Sequence, residues 1–224
     1  MTTVQQDFQS RVVEIESYFD FVDRVDAGHA MLVTSADGLP VYTAAGRDDL
    51  LRTFRASAIL LLYNLMESTV TNAVEAIFDE LSTQGIHFND CRAEVRRVVL
   101  TNLKQHNPGE ILPELQQLST DIISRTFKKD KIVSGNVDAR RIKDLSDEYG
   151  INHPAADGND LLTVKTSRND LAHGSKSFAE VGRTFTIADI IRIKDKVIAY
   201  LAAMLSNVTA YIQHQLYRTS AANP

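Results

Sequence analysis

The sequence predicts an all-α helical bundle, and three observations carry that expectation. The chain has 224 residues, 44% hydrophobic and 24% charged, which is the make-up of a soluble globular protein with enough apolar material for a core. From Asp48 to about Leu81 there is neither Gly nor Pro, while Leu51, Phe54, Ala58, Leu61, Leu65, Val70, Ala73 and Ile77 recur with a helical period. The breaks between such stretches gather Gly, Pro and Asn, as at Asn107-Pro108-Gly109, Ser134-Gly135-Asn136, Gly150 with Pro154, and Gly174.

Taken in order, Phe8, Val12, Ile15, Phe19 and Val22 mark one face of a first amphipathic helix that ends near Gly28. Residues Gly28 to Gly46 carry Gly38 and Pro40 between short β-like pieces, MLVTS and PVYTA, and read as a connection with a small hairpin. The long central helix follows. Further helices are expected at Asp90 to Gln105, Leu112 to Phe127, Asp138 to Tyr149, Asp160 to His173, and Thr186 to about Tyr217. The last opens on Thr186 with Asp189 three residues on, a carboxylate version of the capping box. No internal repeat or long linker divides the chain, so residues 1–224 are expected to form a single domain. Within it, 1–47 supply the N-terminal helix and loop, 48–217 the core bundle with additions at about 107–150, and 218–224 a frayed tail.

Composition excludes several classes. The N-terminus lacks the cationic start and apolar core of a signal peptide. The longest apolar run, Ala58 to Met66, is about half of the roughly 20 residues that span a bilayer, so no membrane partner is expected. Cys91 is the one cysteine, which forbids an internal disulfide and makes the cytoplasm the expected compartment. Net charge is -5, distributed as -9 over residues 1–91, +5 over 92–143 and -1 over 144–224. A uniformly basic coat for nucleic acid is excluded, but a local basic face is not. The basic middle, with Arg140 and Arg141 among its cations, suits either a phosphate backbone or a solvated face paired with the acidic first third.

Nucleotide loops of the GxGxxG and GxxxxGK[ST] types are absent, as are HExxH and GxSxG, and no His has a second His or a Cys at ligand spacing. No cofactor or metal is therefore expected. What remains is SRNDLAHG, Ser167 to Gly174. Gly174 belongs just past a helix end with His173 on the last turn, where exposed carbonyls favour an imidazolium. Five residues separate Arg168 from His173, so on one helix the two point about 140° apart. A symmetric dimer resolves this by bringing two motifs to one cleft. Two His and two Arg there suit phosphodiester transfer: one His as general base on a 2′-hydroxyl, the other protonating the leaving oxygen, and Arg stabilising the phosphoryl oxygens. The substrate of such chemistry is RNA, since DNA lacks the internal nucleophile. Spacing alone is weak, because roughly 0.4 Arg–His pairs at this distance arise by chance in a chain of this composition, and Arg24/His29 is a second pair. Pairing of Glu67 with Arg168 or another cation is also expected, since Glu67 and Asn64 fall in the apolar stretch of the central helix. Solvent exposure of Glu67 is the alternative, and Tyr63 beside them reads as core.

RNDLAHG, with a polar residue directly after the Arg, resembles the Arg-x4-6-His motif of the HEPN superfamily. LLLYNLMESTVTNAVEAI, SGNVDARRIKDLSDEYGI and RNDLAHGSKSFAEVGR look like the pattern of its MAE-type HEPN-like nuclease branch, and together these segments touch most of residues 50 to 200. The resemblance implies a HEPN-like helical bundle that dimerises with its motifs facing each other and cuts RNA to a 2′,3′-cyclic phosphate without a metal. Such proteins commonly act as toxins or anti-phage effectors, so an antitoxin or regulatory protein is an implied partner. Carried over by position, Arg168 and His173 would be the catalytic pair, Asn169 the orienting polar residue and Asp170 a further member. Glu67 and Asn64 would support them, and Lys176, Ser177, Arg183, Arg140 and Arg141 are candidates for contact with RNA. A non-catalytic HEPN module that binds RNA or nucleotide, and a helical protein docking a basic partner on its acidic first third, are the competing readings.

Overall fold

The computed structural model describes residues 1–34, 36–40, 42–104, 132 and 136–219. The helices expected from period and punctuation are there as α1 (Thr2–Asp26), α2 (Ala44–Thr83), α3 (Ala93–Lys104), α4 (Ala139–Tyr149), α5 (Asn159–Ala172) and α7 (Ile187–Gln213), and a short helix that was not expected, α6 (Phe178–Arg183), stands between the last two. Among the described residues extended pairing is confined to two isolated bridges, Val33 with Pro40 and Cys91 with Arg218, so the fold is all-α. The helix expected at Leu112 to Phe127 lies outside the described residues, as do Ser220 to Pro224 of the tail. The chain forms two compact units, each built from separate stretches: Gln6–Met66 with Asp157–Ala199, and Met1–Gln5 with Glu67–Ala156 and Tyr200–Pro224.

The first of these holds the SRNDLAHG segment. Phe8, Ile15, Phe19, Val22 and Val25 line one face of α1 and are buried, as the spacing of three and four dictates. The face meets α2 through the Tyr18 hydroxyl, which donates to the Phe54 carbonyl at 3.0 Å, and through the edge-to-face rings of Phe21 and Phe54. At the C-terminal end of α1, Arg47 donates to the Val25 and Asp26 carbonyls, 2.8 and 2.9 Å, satisfying acceptors a helix end leaves open. Arg55 also donates to the Asp26 carboxylate. Against α7, the α1 contact is ionic: Lys194, only 7% exposed, donates to Glu16 at 2.9 Å. The expected hairpin shrinks to a single bridge, closed by the Thr34 amide donating to the Leu39 carbonyl at 2.9 Å.

The other unit is organised by tyrosines. Tyr149 at the end of α4 meets Phe78 of α2 edge-to-face, and the Tyr211 hydroxyl of α7 donates to the Tyr149 carbonyl at 2.8 Å. Asp138 caps α4 by accepting from the Arg141 amide, and Gly150 closes it at φ 70°, a left-handed conformation that glycine adopts without strain. The fraying expected from residue 218 does not reach its first two residues. Arg218 bridges Cys91, and the Thr219 amide donates to the Asp90 carbonyl at 2.9 Å. Those bonds satisfy backbone groups beside the short 3-10 turn Phe88–Asp90, which delays the start of α3 to Ala93 instead of Asp90.

Candidate functional site

Leu161 and Val164 of α5 are fully buried, and Arg168 lies on the same stripe one turn further on. That register directs an arginine to a position where the pattern calls for an apolar residue. The first turn is anchored separately: Asp160 accepts from Arg192 at 2.8 Å and pairs with Lys196 at 3.2 Å, an acidic group where the helix N-terminus favours one.

The Arg168 guanidinium carbon sits 4.5 Å from the ring centroid of Tyr63 on α2, and Tyr63 is fully buried. A cation over an aromatic face at this range is worth about 0.5–2 kcal/mol. One guanidinium nitrogen also donates to the Asn169 side-chain oxygen at 3.1 Å. Elsewhere in this unit Arg11, Arg24, Arg52, Arg55 and Arg192 each pair with an aspartate. Among the described residues of the unit, no carboxylate pairs with Arg168. The guanidinium is contacted by the Tyr63 ring and by the Asn169 side-chain oxygen, neither of which neutralises its charge.

His173 is the C-cap of α5 and exposed, and Gly174 follows at φ 68°. The amides of Gly174 and Ser175 donate back to the Leu171 and Asp170 carbonyls at 3.2 and 3.0 Å, so the chain turns sharply after the imidazole. Asp170 is drawn into this turn. Its carboxylate accepts from Lys176 at 2.6 Å and from the Ser175 hydroxyl at 3.2 Å. The Lys176 hydrogen bond holds the Asp170 carboxyl below the ordinary aspartate range, so it stays anionic at neutral pH. The carboxylate thereby braces the turn that follows His173.

The sequence-derived residues are thus only partly gathered. Arg168, Asn169, Asp170 and His173 share the last turns of α5, with Lys176 clasped to Asp170 and Arg183 exposed at the end of α6. Asn64 is exposed and Glu67 half-buried, so the desolvation that motivated a cation for Glu67 is largely relieved by water. Glu67, Arg140 and Arg141 fall in the other unit. Arg141 is already engaged there, donating to Glu148 at 2.8 Å and to the Ile132 carbonyl at 3.1 Å. Sequence reasoning missed two features. Tyr63 was read as core alone, although the Leu161, Val164, Arg168 stripe signals an arginine turned inward. Helix α6 was also missed, although Ser177 and Glu180 form a capping box readable at their three-residue spacing.

Among the described residues no cluster of three or more His, Cys, Asp or Glu side chains is disposed to hold a metal ion. No described helix is long and apolar enough to cross a membrane. No curated protein and no solved structure matches the chain. The MAE_28990-like HEPN family matches it over residues 1–217, nearly the whole length and all of the described helices. HEPN domains are generally ribonuclease or RNA-binding modules. An all-α chain matched over that span belongs to the MAE_28990-like HEPN family.

Proposed function

We propose that the protein is a metal-independent endoribonuclease that works as a homodimer, with two copies of the α5 end forming one cleft. The observation that carries the reading is Arg168, oriented by Tyr63 and Asn169 yet uncompensated by a carboxylate in its unit, five residues before an exposed His173. Membership of a family whose domains are generally ribonuclease or RNA-binding modules supports RNA as the substrate class.

In this reaction a 2′-hydroxyl attacks the adjacent phosphorus while one His173 accepts its proton. The bond from phosphorus to the 5′ oxygen breaks, and the second His173 delivers a proton to that oxygen. The products are a 2′,3′-cyclic phosphate and a 5′-hydroxyl end. Arg168 binds the non-bridging oxygens, where negative charge grows in the transition state. Asn169 fixes the guanidinium edge, and Asp170 with Lys176 braces the turn bearing His173. Arg183 is exposed and open to the RNA backbone, whereas Arg141 is committed to Glu148. Function as a toxin or anti-phage effector, restrained by an antitoxin or regulatory protein in the cytoplasm, fits such an activity.

End-group analysis tests the reading. RNA incubated with the protein in EDTA should yield 2′,3′-cyclic phosphate and 5′-hydroxyl ends, and a 2′-deoxy substitution at the cleaved nucleotide should block that cut. Binding of RNA by a confirmed dimer without any cleavage would make the protein a non-catalytic RNA-binding module instead.

A further inference from the structure

We infer that Tyr63 is a positioning residue for Arg168, holding the guanidinium ready for a phosphate; the inference rests on the ribonuclease reading above. Three observations meet here. Tyr63 is fully buried on α2, so its ring cannot swing away from the contact. The Arg168 guanidinium carbon lies 4.5 Å from the ring centroid, a cation–π contact that steadies the group without a neutralising charge. Among the described residues, the hydrogen bond of the Arg168 side chain is the one to Asn169, 3.1 Å, which takes one of its five N–H donors. A carboxylate partner would orient the arginine equally well and would also neutralise it and occupy its fork. The ring orients without competing. A flexible arginine side chain loses rotamer freedom when it is fixed, and here that loss is incurred in the folded protein before substrate arrives.

The test compares wild type, Tyr63→Phe and Tyr63→Leu, with Tyr200→Leu as a control for loss of a buried tyrosine in the other unit. Each is measured for kcat and KM on RNA and for the side-chain NMR signals of Arg168, assigned by their disappearance in Arg168→Lys. Tyr63→Phe keeps the ring and should retain kcat within about twofold, with the upfield ring-current shift of the Arg168 side chain intact. Tyr63→Leu should lose that shift and at least about tenfold in kcat, with KM changed less than about threefold. It should also lose the response of the Arg168 signals to added inorganic phosphate that wild type shows. Full kcat in Tyr63→Leu, or an equal loss in Tyr200→Leu, overturns the inference while leaving the ribonuclease reading in place. If wild type cuts no RNA, that reading fails. The inference is then decided by phosphate alone: a response in Tyr63→Leu equal to that of wild type overturns it.

Discussion

The Lys176 ammonium lies 2.6 Å from the Asp170 carboxylate, clasping the turn that carries His173 and Gly174. This hydrogen bond holds Asp170 below the ordinary aspartate range, so on the proposed mechanism it is a bracing group and not the acid or base. Asp170→Asn should therefore cost less than about tenfold in kcat and leave both limbs of the pH–rate profile where they stand in wild type. Disappearance of one limb would make Asp170 the acid or base instead.

Acid should loosen the motif-bearing unit. Asp157, Asp170, Glu180 and Asp189 are all held below their ordinary values, by the Asn159 amide, the Lys176 ammonium, the Ser177 amide and the Thr186 hydroxyl respectively. A carboxyl with a depressed folded pKa contributes stability above its unfolded value, and that stability goes as pH falls through the folded value. Thermal midpoints measured from pH 7 to 2 should be flat down to about pH 5 and decline below about pH 4. Removing the caps with Glu180→Gln and Asp189→Asn should shallow the decline.

Gly182 occupies the interior of α6, where alanine would ordinarily favour the helix by about 1 kcal/mol. A Cβ there would overlap the Arg52 carbonyl oxygen of α2, a backbone atom that cannot step aside. Gly182→Ala should destabilise by about 1–3 kcal/mol as the two helices are forced apart. Chemical denaturation reads this directly, and an unchanged or raised midpoint contradicts the close approach.

Cys91 is fully buried, and that burial pushes its thiol up to about 11. Iodoacetamide at pH 8 should leave the folded protein unmodified and react with one thiol after denaturation. In the interval between the ordinary thiol value and about 11 the unfolded chain ionises first, so alkali should lower stability there. Rapid labelling of the native protein would show that the 3-10 turn and the Arg218 bridge open readily.

Long elements were legible because burial writes a period into them. Phe8, Ile15, Phe19 and Val22 repeat often enough to reveal α1, and the Gly-free run of α2 needs no further signal. Helix α6 spans six residues, too short for a period, and only the Ser177–Glu180 cap betrays it. Arg168 and His173 were visible as a pair in the sequence, but the environment of Arg168 was not. A tyrosine in AILLLYNLM reads as core, and nothing local says that its ring faces an arginine on another helix. The same run hid the exposure of Asn64, since apolar neighbours on both sides mask the one turn that faces water.

The most direct measurement is the rate of RNA cleavage in EDTA by wild type, Arg168→Ala and His173→Ala, each confirmed folded and dimeric. Wild type should cut, and each variant should fall by at least about a hundredfold, the scale on which a lost general acid–base group or oxyanion donor registers. An equal mixture of the two variants, exchanged into mixed dimers, should remain below wild type, since every such cleft retains only one Arg168 and one His173. Cleavage at wild-type rate by either single variant would remove that residue from the chemistry and contradict the account.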